Sequence, residues 1–184
     1  MHQPDTQPRQ SIYYRYQVHP AAPVPPPGDA PAPVVVVGAG PIGLALALDL
    51  ARHGVPVLLL ESEQQVSEGS RAIVFTRRSM EILQQVGADR AVSAQGLPWR
   101  FGTSHYRGQP VFQLEAPHDE HDRFHPMINL QQQVLEAELV ALVQRQPLIE
   151  LRWGHQVTGV SDDAGGATLE VDTPQGPYRQ HASW

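Results

Sequence analysis

Residues 33–61, PVVVVGAGPIGLALALDLARHGVPVLLLE, decide the fold of this chain. The stretch opens with four consecutive valines, Val34 to Val37, which are typical of a parallel strand buried on both faces. A glycine-rich turn leads into an alanine- and leucine-rich helix, which Gly54 ends. A second buried strand follows over Val57 to Leu60, with Glu61 at its carboxyl end. The stretch therefore predicts a Rossmann-like βαβ unit.

The turn between the first strand and the helix is Gly38-Ala39-Gly40-Pro41-Ile42-Gly43. Gly38 permits a tight turn, Gly40 lets the backbone approach a pyrophosphate, and Gly43 lets the helix lie close to the strand. Pro41 is tolerated in the first helical turn because its missing N–H would have no intrahelical partner there. The unpaired N–H groups of that turn and the helix dipole favour a bound phosphate.

Glu61 lies 23 residues after Gly38 (61 − 38), about where an acidic side chain accepts hydrogen bonds from a ribose. The strand, turn, helix, second strand and acid together predict dinucleotide binding. One alternative is a membrane span, because Pro33 to Ala51 contains a single charged residue, Asp49, but glycines and a proline interrupt that stretch. The other alternative is a βαβ unit that binds nothing.

The composition of the 184 residues excludes several function classes. The net charge is −6, from 13 basic and 19 acidic residues, and there is no basic run, so nucleic acid and membranes are not expected partners. The chain has no cysteine, which excludes disulfides and thiolate chemistry and suits a cytoplasmic protein. The first residues lack the basic-then-apolar pattern of a signal peptide.

Residues 1–32 form a separate, proline-rich segment that contains eight of the eighteen prolines. This composition predicts an extended arm with polyproline-like backbone. The aromatic patch from Ile12 to Tyr16 within it could pack on the body of the protein or on a partner subunit. A disordered lead-in is the alternative interpretation.

The segment after Glu61 is a polar loop that contains Arg71. This loop is expected to pass near the nucleotide, where a guanidinium would pair with phosphate; a solvated surface arginine is the alternative. Thr76 is predicted to cap a helix that Gly87 ends. The other predicted elements are two strands over 99–115 separated by Gly108, short strands at Ile128 to Leu130 and Leu148 to Leu151, a helix from Gln131 to Gln146, and an antiparallel meander over His155 to Asp163, Ala167 to Thr173 and Tyr178 to Trp184.

A polar loop around residues 117–125 carries residue types that bind metals, namely His118, His121 and His125 with Asp119, Glu120 and Asp122. No rigid element fixes their geometry, so we expect a solvated loop and no metal ion. No nucleophile–base arrangement is visible, and no residue is predicted to be catalytic.

Three landmarks together resemble the flavin-dependent aromatic hydroxylases, the single-component FAD monooxygenases of the p-hydroxybenzoate hydroxylase type. The first is VVGAGPIGL followed by Glu61. The second is Ser70-Arg71-Ala72, which leads into the helix that Gly87 ends. The third is Asn129 to Glu136, which is similar to the family's helix-opening glutamine four residues before a glutamate.

This resemblance covers residues 32–184 and implies an α/β fold, with a Rossmann-like FAD-binding βαβ domain over 33–184 and an antiparallel β-meander. Residues 99–125 would begin the sheet of the substrate domain, so both parts would be incomplete. Gln132 would touch FAD, with Gln131 or Gln133 as the fallback if the register differs. The predicted cofactor-binding residues are Gly38, Ala39, Gly40, Pro41, Ile42, Gly43, Glu61, Ser62, Arg71 and Gln132.

The family's reaction is reduction of FAD by NAD(P)H, followed by transfer of one oxygen from a flavin hydroperoxide, formed with O2, to a phenol-like ring. The resemblance therefore implies FAD as cofactor, NAD(P)H as co-substrate, a small aromatic substrate and a possible homodimer. The chain stops at Trp184, before the family's later Asp-Gly and Gly-Asp segments, so we expect an N-terminal fragment that is inactive alone. The alternatives are another FAD- or NAD-dependent oxidoreductase with the same opening fold, or a non-catalytic nucleotide-binding module.

Overall fold

The computed structural model of the protein describes residues 3–26, 32–69, 73–163 and 165–184. The chain divides into two compact units, Met1–Glu68 with Glu136–Trp184, and Gly69–Leu135. In chain order the elements are β1 (Val34–Val37), α1 (Pro41–Arg52), β2 (Val57–Glu61), β3 (Val74–Thr76), α2 (Arg77–Gln85), α3 (Asp89–Gln95), β4 (Leu97–Trp99), β5 (Phe101–Tyr106), β6 (Gln109–Glu115), β7 (Met127–Asn129), α4 (Gln132–Val143), β8 (Ile149–Trp153), β9 (Gln156–Asp163), β10 (Gly166–Asp172) and β11 (Tyr178–Ala182).

A parallel sheet in the order β1-β2-β8 forms the centre of the first unit. The central strand β2 is the most deeply buried, since Leu59 and Leu60 are 0% and 1% exposed. This explains the uninterrupted apolar run of β2, because a parallel strand with both faces covered needs apolar residues at every position. Strand β1 is less buried than the sequence predicts, since Val36 is 8% exposed but Val37 is 56% exposed. The predicted βαβ unit is confirmed. Helix α1 buries one apolar stripe, made of Leu44, Ala47, Leu48 and Ala51.

The predicted antiparallel meander is also confirmed, with the strand order β11-β10-β9. It packs on the parallel sheet through a shared apolar cluster, which consists of Leu58, Leu60, Leu169, Val171 and Ala182. The third strand ends at Ala182, two residues earlier than predicted, and the backbone N–H of Val35 donates instead to the carbonyl of Trp184 (2.9 Å).

The predicted helix from Gln131 to Gln146 is shorter in the structure, where α4 covers Gln132–Val143. The strand predicted over Leu148 to Leu151 lies at Ile149–Trp153, and its last residue pairs with Glu61 of β2. In the part of the chain that the structure describes, no helix is both long enough and apolar enough to cross a membrane.

The second unit contains the antiparallel sheet β3-β7-β4, the helices α2 and α3, and the hairpin β5–β6. The predicted helix cap is present, since Thr76 Oγ1 accepts a hydrogen bond from the Ser79 N–H (3.4 Å). The assignment of Trp99 to the first strand of the hairpin was wrong. Trp99 ends β4, which pairs with β7, and its indole N–H donates to Asn129 Oδ1 (2.6 Å).

Residues 3–26 of the arm contain neither helix nor strand and lie against other parts of the first unit, to which they belong. Tyr16 and His19 are each only 8% exposed, so of the interpretations left open by the sequence, packing on the body describes this part of the arm. The aromatic patch from Ile12 to Tyr16 is divided, because Ile12 and Tyr13 are exposed to solvent whereas Tyr16 is buried. Pro27 and residues 28–31 lie outside the described residues.

The buried histidine His155 joins the arm to the meander. Its Nε2 lies 3.0 Å from the carbonyl oxygen of Ala22, and its Nδ1 lies 2.9 Å from the hydroxyl of Tyr178. A carbonyl can only accept, so Nε2 carries the proton and the neutral Nδ1 accepts from the hydroxyl. Burial lowers the pKa of His155 most. The hydrogen bond to the Ala22 carbonyl opposes this in part, and the smaller effects of Arg152 and Glu150 lower and raise the pKa respectively.

This lowered pKa predicts a loss of stability in mild acid. The unfolded chain binds a proton at His155 near pH 6.5 and the folded chain only at lower pH, so the stabilising contribution is complete above 6.5 and is lost as pH falls below it. We expect the free energy of unfolding to fall more between about pH 7.5 and about pH 5 for the wild type than for His155→Gln. Urea denaturation at each pH measures this, and equal pH dependence in both proteins would contradict it.

Candidate functional site

The glycine turn between β1 and α1 requires glycine at two positions for different reasons. Gly38 has a φ of +96° and its N–H donates to the carbonyl of Leu60 (2.7 Å), so the chain reverses direction immediately after the strand. A Cβ atom on Gly43 would overlap the carbonyl oxygen of Gly38. Gly40 differs, because its φ is −74° and a Cβ there would meet no protein atom within 4 Å. The turn is therefore tightly packed on one side and open at Gly40.

The amino end of α1 lies directly after this open position. Pro41 is its first residue, no side chain caps it, and its first turn contains no acidic residue. The first intrahelical bond is donated by the Leu44 N–H to the Gly40 carbonyl (3.0 Å). The N–H groups of Ile42 and Gly43 have no backbone acceptor among the described residues. Such unpaired donors at the positive end of a helix dipole suit an anion.

The carboxylate of Glu61 is held at the end of β2 by three hydrogen bonds. Oε2 accepts from the Ala39 N–H (2.6 Å), and Oε1 accepts from Ser62 Oγ (3.1 Å) and from the Glu63 N–H (2.9 Å). A carboxylate can accept about four hydrogen bonds, so one position remains, and it is on Oε2. The predicted residues Ala39, Glu61 and Ser62 are thus in direct contact.

The Glu61 carboxylate and the turn donors have opposite charge preferences. An ionised carboxylate accepts hydrogen bonds from hydroxyl groups and repels a phosphate at the same place. The donors of the glycine turn have the opposite preference, since they bind oxygen anions. A ribose with free hydroxyls at Glu61 and a pyrophosphate at the amino end of α1 fit these two chemistries. The residues present therefore fit the adenosine and pyrophosphate part of a dinucleotide.

The remaining two predicted cofactor residues are not tested by these contacts. Arg71 lies outside the described residues. Gln132 is the first residue of α4, is half-buried, and belongs to the second unit. Of the two fallback positions, Gln133 is 6% exposed and donates to Gln131 Oε1 (3.0 Å). Arg71 and Gln132 remain predictions.

Sequence reasoning assigned no role to Glu136, which is 1% exposed. Its carboxylate accepts from the Ser67 N–H (2.6 Å) and from Ser67 Oγ (2.9 Å), and so fixes the loop that follows Glu61. A glutamate between apolar residues on the inner face of a helix is a signal for such a partner, because a buried carboxylate needs donors. The sequence offers no means of identifying Ser67 as that partner.

The histidine-rich loop has its own internal contacts. The rings of His118 and His125 stack with centroids 5.2 Å apart, whereas His121 is exposed. Asp122 pairs with Arg77 (2.7 Å) and lies 3.5 Å from His118 Nδ1. Backbone hydrogen bonding with Asp119 lowers the pKa of Asp122 most, and the charge of Arg77 lowers it further. Among the described residues, no group of three or more histidine, aspartate or glutamate side chains is arranged to hold a metal ion.

Comparison with known proteins gives a consistent result. A family model described as FAD binding domain matches residues 31–184. A 3-(3-hydroxy-phenyl)propionate/3-hydroxycinnamic acid hydroxylase of Mycolicibacterium smegmatis is 30% identical over 143 residues, which are 78% of this chain and 25% of that protein. A para-nitrophenol 4-monooxygenase of a Pseudomonas species is 31% identical over 149 residues, 78% of this chain and 36% of that protein.

The fold matches a solved structure of the same kind. The crystal structure of p-nitrophenol 4-monooxygenase from Pseudomonas putida aligns with a TM-score of 0.76 and 28% identity, over 84% of this chain and 40% of that one. The chain thus spans between a quarter and about two fifths of the length of these relatives.

The same substitution is expected to affect stability differently at Gly43 and at Gly40. Alanine for glycine inside a helix ordinarily stabilises by about 1 kcal/mol. We expect Gly43→Ala to destabilise instead, by about 1–3 kcal/mol, because its methyl group has to displace the Gly38 carbonyl. Gly40→Ala is the matched control and costs less, about 0.5–1 kcal/mol, because its methyl group meets nothing and only the preference for glycine over alanine at a helix N-cap is lost. Urea denaturation measures both, and a stabilising Gly43→Ala would contradict the packing described.

Proposed function

The chain belongs to the FAD binding domain family, and we propose that it supplies the adenosine and pyrophosphate half of the FAD site of an aromatic-ring monooxygenase. The observation that carries the proposal is the position of the Glu61 carboxylate, which is bonded to Ala39 within the glycine turn and keeps one acceptor position. This geometry supports a ribose hydroxyl beside a pyrophosphate, which is the order of groups in FAD.

We assign each predicted residue a role in holding the cofactor. Glu61 accepts a hydrogen bond from the adenosine ribose, and Ser62 keeps the carboxylate oriented. The turn residues Gly38, Ala39, Gly40, Pro41, Ile42 and Gly43 shape the pyrophosphate cradle. Arg71 would neutralise pyrophosphate charge, and Gln132 would touch the cofactor further along.

The proposed activity of the whole protein follows from the relatives. FAD, when bound, would supply the redox chemistry of an NAD(P)H- and O2-dependent hydroxylation. The described residues of this chain hold the adenosine end and carry none of the reacting groups. The names of two relatives refer to nitrophenol and to hydroxylated phenylpropionate or cinnamate, and we propose a small phenolic compound as the substrate class.

The proposal has three further parts. NAD(P)H as the reductant and a homodimeric assembly come from the resemblance to the hydroxylase family. The cytoplasmic location comes from the absence of cysteine in the sequence. Residues 99–125, which include the exposed hairpin β5–β6, are proposed to begin the substrate-domain sheet.

Gly40→Ala tests the pyrophosphate cradle without disturbing the fold. The new methyl group enters the open space where the pyrophosphate would lie, and we expect the Kd for FAD to rise about tenfold or more. The matched control is Gly102→Ala, whose methyl group makes only ordinary contacts at 3.7 and 3.8 Å and leaves the Kd unchanged. Flavin fluorescence titration of the purified chain measures both constants. An unchanged Kd in a folded Gly40→Ala protein would refute the cradle.

Glu61→Gln tests the ribose contact. Glutamine retains an oxygen for the Ala39 N–H but loses the charge and acceptor capacity, so the Kd for ADP should rise about tenfold. An ADP analogue without the 2′- and 3′-hydroxyl groups should bind both proteins equally, because it makes no ribose hydrogen bond. Isothermal titration calorimetry distinguishes the cases. An equal loss of affinity for ADP and the analogue would show that Glu61 does not contact the ribose.

A further inference from the structure

The arm, residues 3–26, contacts the loop that begins immediately after Glu61. We propose that the arm is a strap that positions the Glu61 carboxylate for the ribose, and that Arg9 is its principal positioning residue. This inference rests on the function proposed above for Glu61. The loop concerned is residues 62–67, called here the 62–67 loop, and both segments belong to the first unit.

Arg9 makes three separate contacts with the 62–67 loop. Its guanidinium donates to the carbonyl of Val66 (2.8 Å) and pairs with Glu63 Oε2 (3.2 Å), and its own backbone N–H donates to Gln65 Oε1 (3.0 Å). The Arg9 side chain is only 17% exposed, so the ion pair is less screened than a surface pair. One residue of the arm therefore holds three residues of the loop.

Gln65 completes a reciprocal connection with the arm. It is 2% exposed, and its side-chain amide donates to the carbonyls of Asp5 (3.1 Å) and Gln7 (2.8 Å). A buried amide needs all these partners, since an unsatisfied polar group in the interior costs free energy. The hydrogen bonds of Gln65 and those of Arg9 together fix the position of the arm along the loop.

A second point of attachment lies at His19. Its backbone N–H donates to the Gln64 carbonyl (2.7 Å), and its ring stacks on Trp153 with centroids 4.6 Å apart and planes 5° apart. Trp153 is the residue of β8 that pairs with Glu61 of β2. The arm is thus in contact with the loop and with the strand neighbour of the ribose-binding residue.

These contacts reach the carboxylate through the loop backbone. The Glu63 N–H donates to Glu61 Oε1, so the position of Glu63 sets one of the three bonds that orient the carboxylate. The Gly154 N–H holds the Glu63 carbonyl (3.0 Å) from one side, and Arg9 holds the Glu63 side chain from the other. Without the arm, the loop regains backbone freedom and the ordering of the carboxylate has to be supplied when the nucleotide binds.

The test compares Arg9→Ala with Arg15→Ala in the full 184-residue chain. Arg15 is the matched control, because it is an exposed arginine of the same arm with no side-chain partner among the described residues. We expect Arg9→Ala to increase amide hydrogen exchange across residues 63–67 and to raise the Kd for ADP about threefold to tenfold. Arg15→Ala should change neither.

The ADP analogue without ribose hydroxyls separates positioning from general destabilisation. If Arg9 acts through Glu61, Arg9→Ala weakens ADP and leaves the analogue unchanged, and it has no further effect in a Glu61→Gln background. Arg9→Lys, which retains a charge beside Glu63 but cannot donate in a fork, should restore part of the affinity. Equal weakening of ADP and the analogue, or faster exchange at 63–67 with unchanged ADP affinity, would overturn the proposal.

The outcomes also distinguish this inference from the proposed function. If Gly40→Ala and Glu61→Gln weaken ADP while Arg9→Ala does not, the cofactor site stands and the strap is wrong. If the wild type binds neither FAD nor ADP, the proposed function fails, and hydrogen exchange in Arg9→Ala still reports whether the arm orders the loop. Unchanged exchange at 63–67 in that variant overturns the strap by itself.

Discussion

The hydrogen bond from the Ala39 N–H to the Glu61 carboxylate is the constraint on which the site depends. It joins the turn after β1 to the end of β2, two places that are 22 residues apart in sequence and adjacent only because the strands are parallel neighbours. One carboxylate oxygen is thereby fixed beside the amino end of α1. A carboxylate acceptor and unpaired N–H donors come to lie side by side, an arrangement that suits the ribose and pyrophosphate of a nucleotide.

Other contacts within the first unit maintain the positions of the glycine turn and of Glu61. Gly43 allows α1 to touch the Gly38 carbonyl, and the fully buried Leu59 anchors the strand that ends in Glu61. The loop after Glu61 is held from two directions, by Glu136 through Ser67 and by the arm. The Glu61 carboxylate and the loop after it are thus connected to residues outside the glycine turn.

The sequence predicted what depends on local chemistry. Four valines in a row favour a parallel strand, although Val37 is exposed, and a glycine turn followed by an acid after a second apolar run is typical of a nucleotide-binding unit. It could not predict what depends on distant partners. Trp99 was assigned to the wrong strand because its partner Asn129 is 30 residues away. The contacts of Arg9 with the 62–67 loop span more than 50 residues and involve no repeating pattern.

The most direct test of this account is a map of backbone amide chemical shifts in the 184-residue chain as ADP is added. If the turn and Glu61 form the nucleotide site, the largest changes fall on the amides of Gly40, Ile42 and Gly43 and on Glu61 to Glu63. The unpaired donors at the amino end of α1 then gain phosphate oxygens as acceptors. Binding of ADP with the largest changes elsewhere, or no change in the glycine turn at saturating ADP, would contradict the account.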